Sequence, residues 1–254
     1  MKRMYFIIIL SFLVNTLKAS DPDTAFNAMF RRDIGGWIAA DATYSIFLPD
    51  GRTLWLFGDT FIGEVNGIKI VSGAVMIRNS AVIQDGDNLS TLYSGTASSP
   101  LSWILTDDPD STWYWPEHGM VIHDTLWIFV SKFREKNNGA AGFNFEQTGN
   151  DIAYFSYPAL EFLGSEPVPA YAGNQVIYGD RVMEDSIFLY IYGRRADNAE
   201  GNIPYPHVAR FPYGSPLDEE WEYYTGSGWS DAPGESAPMD GPAGYPLRLL
   251  TLIN

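Results

Sequence analysis

Two aspartates flank one predicted turn at equal distances and could act as a pair. Asp41 lies in the stretch AADATYS, and Asp59 directly follows the apolar run in TLWLFGDTFIG. The turn Pro49-Asp50-Gly51 lies midway, with Asp41 nine residues before Asp50 and Asp59 nine residues after it. On antiparallel strands joined by that turn, both carboxyl groups would lie near the same end of the hairpin.

A pair of carboxyl groups suits the hydrolysis of glycosidic bonds. One group acts as an acid and the other as a base or nucleophile. The two carboxyl groups lie about 5–5.5 Å apart in enzymes that retain the anomeric configuration and about 6.5–9.5 Å apart in enzymes that invert it. Two close carboxylates also push each other's pKa values apart, as these two roles require. The alternative is that each aspartate caps its own turn, Asp59 through Thr60 or a backbone N–H.

Glu117, in the sequence WYWPEHG, is a third acidic candidate because aromatic residues precede it. Desolvation beside Trp113, Tyr114 and Trp115 would raise the pKa of a carboxyl group, which suits a general acid. The same aromatic rings could instead stack on sugars. The other interpretation is a surface turn next to core tryptophans.

Several other polar and aromatic residues are candidates for substrate binding. Arg78-Asn79-Ser80 follows an apolar strand, so its donors could bind hydroxyl groups, or it could be a loop cluster. Arg194-Arg195 follows an apolar strand at the position equivalent to that of Asp59 after another apolar strand. The two arginines could therefore lie at the rim of the site and bind substrate oxygens, or they could lie at a solvated strand end. The binding candidates from these stretches and from WYWPEHG are Arg78, Asn79, Trp115, His118 and Arg194.

The sequence predicts neither a metal centre nor a cofactor. His118 and His123 would point to opposite faces of a strand, which argues against joint ligation of zinc. A structural Ca²⁺ remains open because acidic turns are common, although no EF-hand spacing is present. Neither a phosphate-binding glycine-rich loop before a helix nor a Gly-x-Ser-x-Gly nucleophile motif occurs.

The composition indicates an all-β protein with a large core. The 254 residues are 46% hydrophobic and 19% charged, and they include 8 Trp, 15 Tyr, 15 Phe, 24 Gly and 16 Pro. Aromatic residues favour strands, and Gly and Pro favour turns. The net charge of −15 argues against nucleic acid or an anionic membrane as partner, whereas a neutral carbohydrate carries no such penalty. The absence of cysteine excludes disulfides and a cysteine nucleophile.

Residues 1–20 have the pattern of a signal peptide. Lys2 and Arg3 precede an apolar segment from Phe6 to Leu17 that is short for a membrane span. We therefore expect a secreted or periplasmic protein with no membrane contact after cleavage, and a retained anchor is the alternative. Residues 21–254 would form a single domain, for which the sequence predicts no oligomeric state.

Three stretches share one hairpin design, in which a strand, an acidic turn and a strongly apolar strand follow one another. They are residues 42–61, 117–133 and 178–195. Further strand pairs are predicted within residues 73–86 and 150–164, and a short helix within 23–36 ends at Gly35-Gly36.

This repetition favours a β-propeller of four-stranded blades over a β-sandwich. The apolar second strands LWLF, LWIF and FLYIY would be covered on both faces by neighbouring blades. At about 65 residues per unit, the mature chain holds about three and a half blades, so we expect an incomplete ring or a truncated chain.

Residues 36–63, GWIAADATYSIFLPDGRTLWLFGDTFIG, resemble secreted bacterial five-bladed propeller domains of unknown function, of the 4185 and 5005 types. The elements AD-x-x-YS and FGDT carry the match, and IRNS and YWPEHGMV support it over roughly residues 30–235. These domains have an architecture similar to that of glycoside hydrolases, and one branch is known as endo-D-arabinanases.

The resemblance implies a site over the propeller axis, with Asp41 and Asp59 as the catalytic pair and Glu117 as a helper. Trp37, within the matching stretch, joins the binding candidates. The predicted function is a glycoside hydrolase-like propeller that acts on a polysaccharide or glycan. The alternatives are a non-catalytic propeller that binds carbohydrate or another surface, or an inactive truncated remnant.

Overall fold

The computed structural model describes residues 22–32, 36–136, 144–195 and 204–239, and they form two units. The unit that ends at Arg31 contains helix α1 (Thr24–Phe30), whose N-cap Asp23 accepts a hydrogen bond from the N–H of Phe26 at 2.9 Å. The predicted helix therefore exists but ends before the glycines. The predicted signal peptide lies outside the described residues.

The second unit, from Arg32 onwards, is built almost entirely of antiparallel strands. In chain order its strands are β1 (Gly36–Ala40), β2 (Tyr44–Phe47), β3 (Thr53–Phe57), β4 (Thr60–Gly63), β5 (Val65–Asn66), β6 (Lys69–Ile70), β7 (Val75–Ile77), β8 (Ser80–Asp85), β9 (Asn88–Leu92), β10 (Ser94–Thr96), β11 (Ser99–Leu101), β12 (Thr112–Ile122), β13 (Thr125–Glu135), β14 (Phe145–Ser156), β15 (Phe162–Pro167), β16 (Ile177–Glu184), β17 (Phe188–Arg195), β18 (Tyr205–Pro212), β19 (Glu222–Tyr224) and β20 (Trp229–Ser230). A short helix α2 (Tyr171–Asn174) and a 3₁₀ turn (Pro233–Glu235) complete it. The predicted all-β class is confirmed.

Three larger sheets follow one another along the chain. Sheet I has the strand order β2-β3-β8-β9, sheet II the order β12-β13-β14-β15 and sheet III the order β16-β17-β18-β19-β20. Three smaller sheets accompany sheet I: β1-β4-β7 begins before it in the chain, β5-β6 lies within its sequence and β10-β11 follows it. None of the described helices is long and apolar enough to cross a bilayer.

The three predicted hairpins begin these sheets. The pairs β2-β3, β12-β13 and β16-β17 are all antiparallel neighbours, as is the predicted pair β14-β15. The pair predicted within residues 73–86 is wrong, because β7 pairs with β4 whereas β8 pairs with β3 and β9. The chain crosses from one sheet to another at Arg78-Asn79, where the sequence suggests a simple turn.

Sheet II is packed between sheets I and III. Leu126 and Ile128 of β13 share one core with residues of sheet I, and Trp127 and Phe129 of the same strand share a second core with sheet III. Each fully buried side chain of this kind stabilises the fold by about 1.5–3 kcal/mol. This sandwiching explains why β13 is buried continuously from Leu126 to Ser131.

The strands β3 and β17 do not follow the same pattern, although their sequences are just as apolar. Leu54 and Leu56 are fully buried while Trp55 is half-buried, and in β17 Tyr190 and Tyr192 are half-buried. The prediction that all three second strands are covered on both faces is therefore confirmed for β13 alone among the described residues. The cause is that sheets I and III each share a core with sheet II on one face.

The first strands of the three sheets lie next to one another, since β12 contacts both β2 and β16. In two of them the pairing with the next strand is interrupted at an acidic residue, at Glu117 in β12 and at Asp180 in β16. The third acid, Asp41, lies just before β2, between the strand pairs β1-β4 and β2-β3. Such bulges redirect side chains, and they commonly occur next to functional sites.

Candidate functional site

Asp41 and Asp59 are cross-strand neighbours. The N–H of Asp41 donates to the carbonyl oxygen of Asp59 at 3.2 Å, and the N–H of Gly58 donates to the carbonyl oxygen of Asp41 at 3.0 Å. These bonds continue the ladder from the pair β2-β3 to the pair β1-β4. The equal spacing about the turn at Asp50 therefore places the two acids together, although each lies between strands and not within one.

Both aspartates line one cavity of about 430 Å³. Its walls come from the links between sheet I and the smaller sheet β1-β4-β7, from strands β12 and β13, and from the start of β14. The lining residues are Asp41, Asp59, Arg78, Trp113, Trp115, Glu135, Asn144 and Phe145. Concave sites that combine aromatic walls with a few polar groups are typical of small-molecule binding.

Asp59 is held by a different donor at each carboxylate oxygen. The indole N–H of Trp115 donates to Oδ1 at 3.0 Å, and Nη1 of Arg78 lies 3.4 Å from Oδ2. The guanidinium group of Arg78 in turn lies over the ring of Trp113, 4.2 Å from its centre. Charge-assisted bonds of this kind fix the orientation of the carboxyl group.

Asp41 lies at the exposed side of the same cavity, in contact with Gly58. A Cβ atom at position 58 would lie 2.7 Å from Oδ1 of Asp41, so the absence of a side chain at Gly58 makes room for the carboxyl group. Partial burial of that carboxyl group raises the pKa of Asp41, and the negative charge of Asp59 raises it further, although nearby backbone N–H groups oppose the change. The two acids thus differ in environment as an acid and a base must.

An aromatic cluster supports the cavity wall. The ring of Trp115 lies 4.4 Å from that of Phe133 and 5.1 Å from that of Phe145, between ring centres. Trp113 stacks on Phe133 and is itself covered by Arg78, so its faces are occupied. The half-buried Trp115 and Phe145 are therefore the aromatic residues best placed to meet a ligand.

Glu117 lies outside this cavity, in a buried polar cluster at the centre of the three sheets. It accepts hydrogen bonds from Oη of Tyr44 at 2.7 Å, from Oγ of Ser131 at 2.7 Å and from Nη2 of Arg194 at 2.9 Å. These partners belong to sheets I, II and III respectively. The structure thus brings together the predicted residues Glu117 and Arg194, but away from the aspartate pair.

Asp180 belongs to the same cluster and was not predicted from the sequence. Its Oδ1 pairs with Nη1 of Arg194, while its Oδ2 is buried and has no hydrogen-bond partner among the described residues. The signal was present in the third repeat, where the acid of YGDRVM interrupts the first strand as Glu117 does in the second.

Two predicted binding residues belong to the core. Trp37 is 9% exposed and packs against Phe57, with ring centres 5.0 Å apart. Asn79 is fully buried, donates to the carbonyl oxygens of Ile104 and Tyr114 at 2.9 Å each, and accepts from the N–H of Ile104 at 2.7 Å. Neither lines the cavity, because the side chain of each is buried against another segment of the chain.

His118 lines a different cavity, of about 390 Å³, at the other end of the first strands. The residues around it are mostly apolar and include Ile46, Val121 and Val182. Burial lowers the pKa of His118 to about 4, and the positive charge of Arg181 acts in the same direction. The imidazole is therefore neutral at pH 7 and separate from the aspartate pair.

The described residues contain no group of three or more His, Asp or Glu side chains arranged to hold a metal ion. The two aspartates of the cavity are accompanied by the guanidinium group of Arg78 and the indole N–H of Trp115. This donor set suits proton transfer and the stabilisation of negative charge.

Comparison with known proteins gives a family and a fold. Residues 23–241 match the model of a family described as "Domain of unknown function (DUF5005)", which is one of the two expected types. The chain is also similar to the crystal structure of a "putative hydrolase" from Bacteroides ovatus ATCC 8483, with a TM-score of 0.61 and 20% sequence identity. The match covers 89% of this chain and 57% of the other, so the chain spans little more than half of that protein's length. No curated protein matches the chain.

Proposed function

This chain belongs to the DUF5005 family, and we propose that it is a hydrolase that cleaves glycosidic bonds in a carbohydrate, with Asp41 and Asp59 as the catalytic pair. One observation carries the proposal. Two carboxyl groups line a single cavity in unlike environments, one with a raised pKa and the other held by Trp115 and Arg78.

The environments assign the roles. Asp41, whose pKa is raised, acts as the acid that donates a proton to the glycosidic oxygen as that bond breaks. Asp59, oriented by its two donors, acts on the opposite side of the sugar as the base that deprotonates a water molecule or as the nucleophile that attacks the anomeric carbon. Water supplies the hydroxyl group and the proton that complete the hydrolysis.

The walls of the cavity support a carbohydrate as substrate. Trp115 and Phe145 present aromatic surface to the C–H faces of sugar rings, and Asn144 provides amide groups for hydroxyls. The net charge of −15 repels acidic polymers and leaves neutral glycans unaffected. The similar structure named as a "putative hydrolase" supports the general reaction class.

We further propose that sheets I, II and III are consecutive blades of a propeller. Their stacking in chain order, with the first strands adjacent, favours this arrangement over a two-sheet sandwich. In that arrangement the cluster around Glu117 lies near the axis. Residues 1–20, as a signal peptide, would direct the protein to the periplasm or the exterior, where polysaccharides are encountered.

A second candidate function is carbohydrate binding without turnover, and an aromatic hollow of about 320 Å³ on sheet III favours it. Tyr190, Tyr192, Tyr224 and Trp229 line the hollow, and all four are half-buried. The guanidinium group of Arg210, which is paired with Glu222, lies 4.1 Å from the centre of the Trp229 ring and fixes that ring. An uncharged aromatic surface of this kind suits sugar rings.

Release of reducing sugar from a panel of neutral polysaccharides tests the proposal. Wild type should release sugar, and both Asp41→Asn and Asp59→Asn should lower the rate by at least about 1,000-fold. Asp87→Asn, in an exposed turn, is the matched control and should leave the rate unchanged. Binding to a polysaccharide without release, equal in all variants, would overturn the hydrolase proposal in favour of the second candidate.

A further inference from the structure

The backbone at Arg78 is fixed by its neighbours. The N–H of Arg78 donates to Oγ of Ser102 at 3.1 Å. The next residue, Asn79, is fully buried and bonded to two other segments. The backbone from which the side chain of Arg78 extends is therefore held in place, although this residue lies where the chain passes from one sheet to another.

The guanidinium group is fixed as well. It lies over the indole ring of Trp113 at 4.2 Å from the ring centre, and its Nη1 lies 3.4 Å from Oδ2 of Asp59. Trp113 is only 8% exposed and stacks on Phe133, so the surface that supports the guanidinium group is itself rigid. Stacking and pairing together restrict the planar group to one orientation.

The charges that face Asp59 are unbalanced without Arg78. Asp41 and Glu135 line the same cavity, and Arg78 alone carries positive charge among the described lining residues. Trp115, on the other oxygen of Asp59, provides a neutral N–H. Loss of the guanidinium group would leave three carboxyl groups around one cavity with no cation among its described lining residues.

We propose that Arg78 is a positioning residue that orients the carboxyl group of Asp59 and places a positive charge next to it, beside Asp41, and that it does not bind the substrate. The proposal rests on the catalytic roles proposed above for the two aspartates. It differs from the prediction made from the sequence, in which Arg78-Asn79 supplies donors to sugar hydroxyls. The guanidinium group is stacked on Trp113 and paired through Nη1 with Asp59.

Two variants separate charge from shape. Arg78→Met removes the charge and keeps an unbranched chain that can lie on Trp113, while Arg78→Lys keeps a positive charge and loses the planar fork. Arg52→Met, at an exposed pair with Asp50, is the control for the loss of one arginine. If Arg78→Met does not fold, Arg78→Lys and Arg78→Gln provide the same comparison.

The first measurement needs no substrate. Carbon-13 NMR of the aspartate carboxyl groups follows the two coupled titration steps of the Asp41–Asp59 pair. Arg78→Met should raise the lower midpoint by about one pH unit, Arg78→Lys by clearly less, and Arg52→Met not at all. Unchanged midpoints in Arg78→Met would overturn the proposal.

The second measurement is the pH dependence of hydrolysis. In Arg78→Met the acidic limb of the pH profile of kcat/KM should shift to higher pH by about one unit. The kcat value should fall about tenfold, while KM should stay within about twofold of wild type. A raised KM with an unshifted profile would instead make Arg78 a substrate-binding residue. If wild type hydrolyses no glycan, the function proposed above fails, while the titration still decides whether Arg78 controls the pair.

Discussion

Arg194 extends from β17 in sheet III to Glu117 in β12 of sheet II, where its Nη2 lies 2.9 Å from Oε1. The two residues are 77 positions apart in the chain. The same guanidinium group pairs with Asp180, and the other carboxylate oxygen of Glu117 accepts from Tyr44 in sheet I. One arginine thus pairs with two acids at the point where three sheets meet.

Replacement of Arg194 by methionine should lower the free energy of unfolding by about 3 kcal/mol. The side chain of Glu117 is 6% exposed, so the loss of its counter-ion leaves a buried charge without compensation next to Asp180. Urea denaturation followed by tryptophan fluorescence measures the change. Arg52→Met, at an exposed pair, should cost less than about 1 kcal/mol, and equal effects of the two variants would contradict the prediction.

Gly58→Ala should reduce hydrolysis while leaving the fold intact. The new Cβ atom would lie 2.7 Å from Oδ1 of Asp41, and the flexible end of that side chain can move away. A displacement of about 1 Å in a catalytic group lowers the rate by about 10–100-fold. The thermal midpoint should change little, and Gly228→Ala, which meets open space, is the control. Full activity in Gly58→Ala would show that the position of Asp41 is unimportant.

Asn79→Ala should act on stability, although the sequence suggests a binding role. The substitution leaves the N–H and carbonyl oxygen of Ile104 and the carbonyl oxygen of Tyr114 without their partner in a buried site. We expect a loss of about 2–3 kcal/mol in the free energy of unfolding. Asn66→Ala, on the exposed strand β5, should change it by less than about 0.5 kcal/mol. A stable variant with a raised KM would restore the binding role.

Asp41→Asn should stabilise the protein at pH 7 but not at pH 3. Because the pKa of Asp41 is raised in the folded chain by burial and by Asp59, the folded chain binds more protons than the unfolded chain between about pH 4 and that raised pKa. Stability therefore falls as the pH rises through that window, and the amide removes this loss. The gain should stay below about 1 kcal/mol because solvent screens the carboxyl group.

Urea denaturation of wild type and Asp41→Asn at both pH values measures this difference. Asp87→Asn, in the exposed turn, controls for the general effect of one charge fewer on an acidic protein. A gain at pH 3 as large as that at pH 7 would exclude the titration of Asp41 as its cause. A loss at pH 7 would show that the ionised carboxylate contributes to folding.

The hairpins could be predicted from the sequence because antiparallel pairing across a short turn is a local property. The turn at Asp50 sets which residues oppose one another, so the proximity of Asp41 and Asp59 follows from counting. Alternating apolar runs and turn residues likewise indicated β2-β3, β12-β13 and β16-β17 with their correct partners.

The crossing at Arg78-Asn79 could not be predicted in the same way. Strands β7 and β8 are separated by two residues, as in a hairpin, yet they belong to different sheets. The buried hydrogen bonds of Asn79 to Ile104 and Tyr114 direct the chain there, and these partners lie 25 and 35 residues away. A short loop with polar residues looks the same in sequence whether it turns back or crosses over.

The sequence by itself determined the all-β class, the three hairpins and the proximity of the two aspartates, because each depends on residues close together in the chain. The tertiary structure alone decided that Glu117 meets Arg194 in a buried pair, that Trp37 and Asn79 are core residues, and that β13 is covered on both faces. These outcomes depend on which sheets pack together. Packing of distant segments is set by the summed burial of many side chains, and no short stretch of sequence contains that sum.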